Sequence, residues 1–355
     1  MSTPILSLGA RRLDVPMKKA FGIAGGAQVE ANNVLVELRV RGASGFGEGA
    51  PFPAFNGETQ ARVLAAVARA APRLEGVDLE DDAGLREVVR AWCSDSPSAT
   101  CAIETAVFDA RARLRGTSIR EMLGGAEREL VTDVTITTGS VEDASREARA
   151  LSAFRTLKIK VGGGDPDSDV ARVLAVRAVR PDARLLVDAN GGFALDDAVR
   201  FAAGARSAGI ELFEQPVAPG DWDALAEVRE RTGLRVAIDE SVTVADDVGE
   251  AKRRGATDAV NVKIMKSGIF EALAIIQRTR DHGLFPMIGG MVETRLAMGM
   301  SASIAAGLGG FAYVDLDTPL FLASDPFEGG YAQDGERIDL GPIGAGHGAR
   351  PRAST

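Results

Sequence analysis

The rhythm of apolar and polar positions changes near residue 130. Before it, Ile5 to Val15, Asn33 to Val40 and Gly45 to Gly49 read as strands of an antiparallel meander, with a turn at Arg41-Gly42. Stretches from about Glu58 to Ala71, about Leu79 to Trp92 and Ser98 to Arg115 predict helices. Ser98 is the expected cap of the third, and Ala102, Ala106, Val107, Ala110 and Leu114 form its apolar stripe. Two connections could act as lids over a site: Phe21-Gly22-Ile23-Ala24-Gly25-Gly26, too rich in glycine for a regular element, and Pro51-Phe52-Pro53-Ala54-Phe55, with aromatics among prolines. Residues 1–125 thus predict a small α+β domain.

From Leu130 strand and helix alternate. Strands are expected at Asp133 to Thr137, Leu157 to Val161, Leu185 to Asp188, Leu212 to Glu214, Arg235 to Asp239, Ala259 to Lys263, Phe285 to Ile288 and Ala312 to Asp317. Eight strands about 25 to 28 residues apart, each followed by a helical stretch, predict a (β/α)8-type barrel over residues 126–322. An open doubly wound sheet is the alternative, weakened because no Gly-x-Gly-x-x-Gly follows the first strand. Within residues 323–355, Phe327 to Leu340 is expected to return to the N-terminal domain and complete it as a cap, and the tail from about Gly344 to be disordered.

Composition narrows the chemistry. The 355 residues are 45% hydrophobic and 26% charged, as in soluble globular proteins. A formal net charge of -9 argues against nucleic acid and anionic membranes as partners. Cys93 and Cys101 are too few for a disulfide scaffold or a thiolate zinc site, and neither a signal-peptide pattern nor a long apolar run is present, so a cytoplasmic protein is expected. A homo-oligomer is left open. With only His282 and His347, acid and base groups must come from other side chains, and a metal site from carboxylates.

Chemistry in such a barrel gathers where strands end. Lys160, Asp188, Glu214, Asp239 and Lys263 end successive expected strands, and Asp315 and Asp317 end the eighth. Singly, each has an ordinary explanation as turn, cap or solvated strand face. Jointly, three carboxylates on neighbouring strands need a cation: at roughly 4 Å each pair repels by about 4 kcal/mol at an effective dielectric of 20. Oxygen ligands select a hard ion, so Asp188, Glu214 and Asp239 are candidate ligands of Mg2+. Lys160 and Lys263 would flank that ion from opposite sides, one removing a proton from a carbon and the other returning it on the far face. A lysine base must lose about 2 to 3 pH units from its usual 10.4. Lys158, two residues from Lys160 on the same strand face, and the metal act in that direction.

These residues resemble the enolase superfamily, in its muconate-lactonising-enzyme-like branch, over essentially the whole chain. Lys158-Ile159-Lys160 matches the branch's Lys-x-Lys, Asp188, Glu214 and Asp239 its Mg2+ ligands, and Lys263 in Asn261-Val262-Lys263 the lysine opposite. Asp315-Leu316-Asp317 is similar to the Asp-x-Asp with which dipeptide epimerases of the L-Ala-D/L-Glu type hold the substrate's N-terminal amine. The resemblance implies a Mg2+-dependent epimerase of L,L-dipeptides, inverting the α-carbon of the C-terminal residue through an enolate, with Thr135 lining the pocket. Where glutamate-specific relatives often read Ile-Ala-Arg-Gly, this chain has Ile23-Ala24-Gly25-Gly26. Phe21, Ile23 and Phe55 therefore point to a hydrophobic second residue, although Lys18 or Lys19 could replace the arginine. Within the same fold, o-succinylbenzoate synthase, N-succinylamino-acid racemase and muconate cycloisomerase remain alternatives. A Schiff-base lyase and a non-catalytic metal-binding protein are alternatives of other classes.

Overall fold

The first two strands run farther than their glycines suggest. β1 (Ile5–Ile23) pairs antiparallel with β2 (Gly26–Val40), and β2 with β3 (Ala43–Gly49). The structure, a computed structural model, describes residues 2–23 and 26–352; Ala24, Gly25 and the side chain of Ile23 lie outside the described residues. The stretch 21–23, expected to be loop, is the outer end of β1, with Phe21 opposite Gln28 and Gly22 opposite Ala27. A ladder needs only backbone donors and acceptors, so the neighbouring strand can hold glycines in line.

Helices α1 (Pro53–Asn56), α2 (Gln60–Leu74), α3 (Asp82–Cys93), α4 (Pro97–Leu114) and α5 (Ile119–Met122) follow. The second expected loop thus contains a helical turn: Pro53, with its φ already fixed, occupies the first helical position, and Gly57 closes the turn at φ 74°. Phe52 beside it is buried rather than exposed. Ser96, not Ser98, caps α4 by accepting from Ala99 N; Ser98 lies inside the helix and donates to Glu58. The helix is buried on nearly all sides instead of along a stripe, while Leu114 is exposed. Gly45 and Gly47 of β3 make this close packing feasible, since a Cβ on either would strike the backbone of α4 at Ala106 or Ala102.

After β4 (Glu129–Val131) comes an eight-stranded parallel sheet: β5 (Val134–Ile136), β6 (Thr156–Lys160), β7 (Arg184–Asp188), β8 (Ile210–Glu214), β9 (Arg235–Ile238), β10 (Ala259–Val262), β11 (Phe285–Ile288) and β12 (Tyr313–Val314), in sequential spatial order. Helices α6 (Val141–Ala150), α7 (Pro166–Val179), α8 (Leu195–Gly204), α9 (Trp222–Thr232), α10 (Ala245–Arg254), α11 (Ile269–Asp281) and α12 (Arg295–Leu308) intervene, as expected of a (β/α)8-type barrel. The seam between β12 and β5 is joined by Asp133 N donating to Val314 O at 2.9 Å and Leu316 N donating to Thr132 Oγ1 at 2.8 Å. Strand β12 is shorter than expected, because beyond Val314 the chain leaves the ladder and turns into a 3-10 segment at Thr318–Phe321.

The C-terminal part departs from expectation in two ways. β14 (Ala332–Asp334) and β15 (Arg337–Asp339) form a small sheet with β4, beside the barrel and not on the N-terminal domain, whereas β13 (Phe327–Gly329) pairs with β16 (Ala349–Pro351), whose Ala349 O accepts from Arg113 of α4, so that this part does return to the N-terminal domain. Residues 344–352, expected to be disordered, are ordered by docking. Ser118 bridges to Gly346, and buried His347 accepts from Ala349 N at Nδ1 while Nε2 meets Phe46 O at 2.9 Å. Gly346 in this segment reflects close approach to α4, sitting against Asp109.

Candidate active site

Strand alternation directs one set of side chains into the barrel. At the base these are apolar, Leu186, Leu212, Ala237, Ala259, Met287 and Tyr313, which pack as one cluster. Two residues further along β7 to β10 the inward positions become Asp188, Glu214, Asp239 and Asn261, with Lys263 two beyond Asn261, and β6 adds Lys158 and Lys160, all of them buried. Lys160, Asp188 and Glu214 are terminal strand residues; Asp239 and Lys263 directly follow β9 and β10.

Four ammonium groups stand among the three carboxylates. Lys160 Nζ reaches Asp188 Oδ2 at 2.6 Å, and Lys263 Nζ reaches Asp239 Oδ2 at 2.6 Å. Lys158 Nζ bridges Asp315 at 2.6 Å, Glu214 at 2.8 Å and Asp188 at 3.3 Å. Lys266, which the sequence reading missed, donates to Asp239 Oδ1 at 2.8 Å and to the carbonyl oxygens of Asp239 and Asn261. Burial raises the carboxyl pKa of Asp188 and Asp239, but the surrounding lysines more than offset it: Asp188 is held well below the usual range and Asp239 at about 2. Glu214 goes the other way, pushed up by burial and by Asp188. Burial lowers Lys158 and Lys263, yet the carboxylates around them raise both above the ordinary lysine value. Lys158 pushes Lys263 downward, but with the carboxylates balanced only by lysines that push is outweighed.

A hard cation fits this donor set. Asp188, Glu214 and Asp239 are at most 1% exposed and offer only oxygen. Asp239 Oδ2 meets Lys263 without hydrogen-bond geometry, and nearby Glu240 Oε2 and Asn190 Oδ1 accept no hydrogen bond, so buried acceptors remain unsatisfied at this place. Its surroundings are stiff: Gln215 Oε1 accepts from Asp239 N and Ser241 N, and its amide donates to Val217 O and Ser241 Oγ. Asn261 Nδ2 holds Glu214 Oε1 at 2.6 Å. Asn190 (φ 44°) and Gln215 (φ 35°), right behind Asp188 and Glu214, are the positive-φ residues other than glycine among those described. Asn190 and Gln215 follow the candidate ligands within two residues, the one signal by which they could have been found.

Asp315 and Asp317 come together differently from expectation. Neither is in a strand; Asp317 has φ −97° and ψ −13°, and the turn after β12 brings the pair together with Asp133, an oxygen of each within 4.8 Å of the others. Among the described residues this is the carboxylate group that converges most tightly, ahead of Asp188, Glu214 and Asp239. Lys158 and the backbone N–H of Thr135, which donates to Asp317 Oδ2 at 2.6 Å, partly balance it. Burial and neighbouring Asp315 push Asp317 up to about 7, whereas burial at Asp315 is more than offset by Lys158, Lys263 and Lys160 together, which hold it low.

A small cavity unites the expected residues: Phe21, Phe55, Thr135, Lys160, Lys263, Asp315 and Asp317 line it, together with Phe52, Asn190 and Met291. Lys263 Nζ lies 5.5 Å from the centre of the Phe55 ring, and Phe21 packs on Phe321 at 5.4 Å. Neither Lys18 nor Lys19 reaches the cavity: Lys18 donates to Leu320 O and Lys19 pairs with Glu147. Among the described residues its lining contains no arginine.

Residues 8–124 match the family model "Mandelate racemase / muconate lactonizing enzyme, N-terminal domain" and residues 140–355 match "Enolase C-terminal domain-like". The "Aromatic dipeptide epimerase" of Herpetosiphon aurantiacus is 40% identical, over 98% of this chain and 99% of that protein. The "Hydrophobic dipeptide epimerase" of Citrifermentans bemidjiense is 36% identical, over 96% and 95%. A dipeptide epimerase from Enterococcus faecalis, solved with Mg and L-Leu-L-Tyr, superimposes with a TM-score of 0.94 at 31% identity, covering 98% of this chain and 99% of that one. The fold, the family models and these full-length relatives agree that this chain belongs to the mandelate racemase / muconate lactonizing enzyme family of the enolase superfamily.

Proposed function

We propose that the protein is a Mg2+-dependent dipeptide epimerase whose substrates carry a hydrophobic or aromatic C-terminal residue. The observation that carries this reading is a single cavity lined by two lysines from different strands, Lys160 and Lys263, and by the Asp315/Asp317 pair. Asp188, Glu214 and Asp239 would hold the ion. When bound, it would withdraw charge from the substrate's terminal carboxylate and make the α-proton more acidic.

The protein's own groups do the rest. Asp315 and Asp317 hold the N-terminal ammonium by charge-assisted hydrogen bonds. This orients the α-carbon of the second residue between Lys160 and Lys263. Both Nζ atoms must leave Asp188 and Asp239 to reach it; the neutral amine takes the α-proton from one face and the ammonium returns a proton to the other. The two lysines exchange roles in the reverse direction. Phe21, Phe52, Phe55 and Met291 shield the carbon from water and receive an apolar side chain. Among the described residues no cation lines the cavity besides the two lysines, which leaves a glutamate side chain without a partner. N-succinylamino acids, whose α-nitrogen is an amide and not an ammonium, would leave Asp315 and Asp317 unmatched.

The test is a panel of L,L-dipeptides incubated with enzyme and Mg2+ in deuterated buffer. Epimerisation with deuterium entering only the C-terminal residue, fastest for apolar and aromatic residues, is the expected result. Absence of exchange across the panel, or turnover indifferent to chelation, would sink the reading.

A further inference from the structure

The barrel seam holds a carboxyl group that the reaction above does not use. Asp133 directly precedes β5, and its side chain is buried against Asp315 and Asp317, within 4.8 Å of both. Among the described residues neither of its carboxyl oxygens accepts a hydrogen bond from any donor. Lys158 Nζ is committed to Asp315, Glu214 and Asp188, and Thr135 N to Asp317. On its other side lies a cavity of about 270 Å3 at the barrel base, lined also by Glu127, Glu129 and Arg184, but the Arg184 guanidinium is engaged by Glu211. An ionised carboxylate there would be buried, without a donor and faced by two others. A neutral acid has a donor of its own, and Asp315, with an oxygen within 4.8 Å, is a facing acceptor.

We propose that Asp133 stands as the neutral acid and donates its proton to Asp315, orienting that carboxylate for the dipeptide's ammonium. Asp133 is thus a positioning residue, acting through Asp315. Burial and the charges of Asp315 and Asp317 push its carboxyl well above the usual range, against the pull of Lys158. The charge count follows. Asp315 shares Lys158 with Glu214 and Asp188, so its pair with Asp317 already carries the negative charge an ammonium needs, and an ionised Asp133 would add one more.

The role assigned to Asp315 rests on the epimerase reading, whereas the protonation does not, and the experiment separates them. Infrared difference spectra of the Mg2+-loaded enzyme against Asp133→Asn, without substrate, are expected to lose one protonated-carboxyl band. With dipeptide, Asp133→Leu, which has no donor, should raise KM about tenfold or more with a smaller change in kcat, as expected for a lost hydrogen bond to a charged group. Asp133→Asn, whose amide can donate to Asp315, should restore KM to within about threefold. Retention of every protonated-carboxyl band in Asp133→Asn, or a KM defect there equal to that of Asp133→Leu, would overturn the proposal. If Asp133→Leu does not fold, the band and the KM of Asp133→Asn decide. If the wild type epimerises no dipeptide, the epimerase reading fails and the band alone decides the protonation.

Discussion

At the residue scale the site is a balance of buried charges, and its least replaceable member is Lys158. It is 1% exposed and serves three carboxylates at once. Removing one partner of such a set leaves uncompensated charge, so Lys158→Met should cost about 3–5 kcal/mol of stability without metal. Chemical denaturation in chelator and in excess Mg2+ checks this, since a cation among the carboxylates should return part of the loss. Asp317 provides a second test. Burial and Asp315 raise its pKa to about 7, and an ammonium partner favours its ionised form. Binding the dipeptide therefore releases a proton below that pH. KM is expected to rise by about tenfold per pH unit as pH falls below about 7, and a flat profile would contradict the role given to Asp317.

At the scale of elements, two pieces of the N-terminal domain close the cavity: the outer end of the β1–β2 hairpin through Phe21, and the turn α1 through Phe52 and Phe55. Burying an aromatic side chain contributes about 1.5–3 kcal/mol. Phe55→Ala should accordingly raise KM for aromatic dipeptides about tenfold or more and change it much less for small second residues; a competition assay with paired dipeptides measures the ratio. These elements also show where reading the chain failed. Glycines at 22 and 26 suggested loop because local composition cannot reveal that a partner strand lies alongside. Pro53 suggested irregular chain although proline also begins helices. The sequence points to Ser98 as the cap of α4, but the helix begins at Pro97 with Ser96 as its cap, and both hydroxyls donate to Glu58, 38 residues before Ser96.

At the scale of the whole molecule, the two parts of the chain are joined by buried polar groups as well as by apolar contact. Glu48 of β3 accepts from Thr294 N, Thr294 Oγ1 and Ala297 N at the start of α12, and Glu104 of α4 accepts from Ile269 N and Phe270 N at the start of α11. Both carboxylates sit where helix dipoles favour them. The C-terminal segment adds another clasp through His347 and Asp109. Deleting residues 344–355 should expose apolar surface of α4 and lower the melting temperature by several degrees. Calorimetry of the truncated chain checks this; an unchanged transition would mean that the docked segment contributes nothing. No helix among the described residues is long and apolar enough to cross a membrane.

The strand-to-helix rhythm after Leu130, the carboxylates and lysines at strand ends, and the scarcity of histidine were all legible in the sequence, because alternation and strand ends are local properties of a chain. The same is true of Lys158 and Lys160 sharing a face. What only the tertiary structure decided was which charges meet. Lys158 reaches the turn after β12, Lys266 backs Asp239, and Asp133 meets Asp315 and Asp317 across the seam. Barrel closure brings together residues that lie 157 and 182 positions apart in the chain, and no local pattern carries that information. The aspartate pair shows the difference most plainly: alternation suggested one strand face, but a turn brings the two carboxylates together, and their charge state depends on neighbours that only the closed barrel supplies.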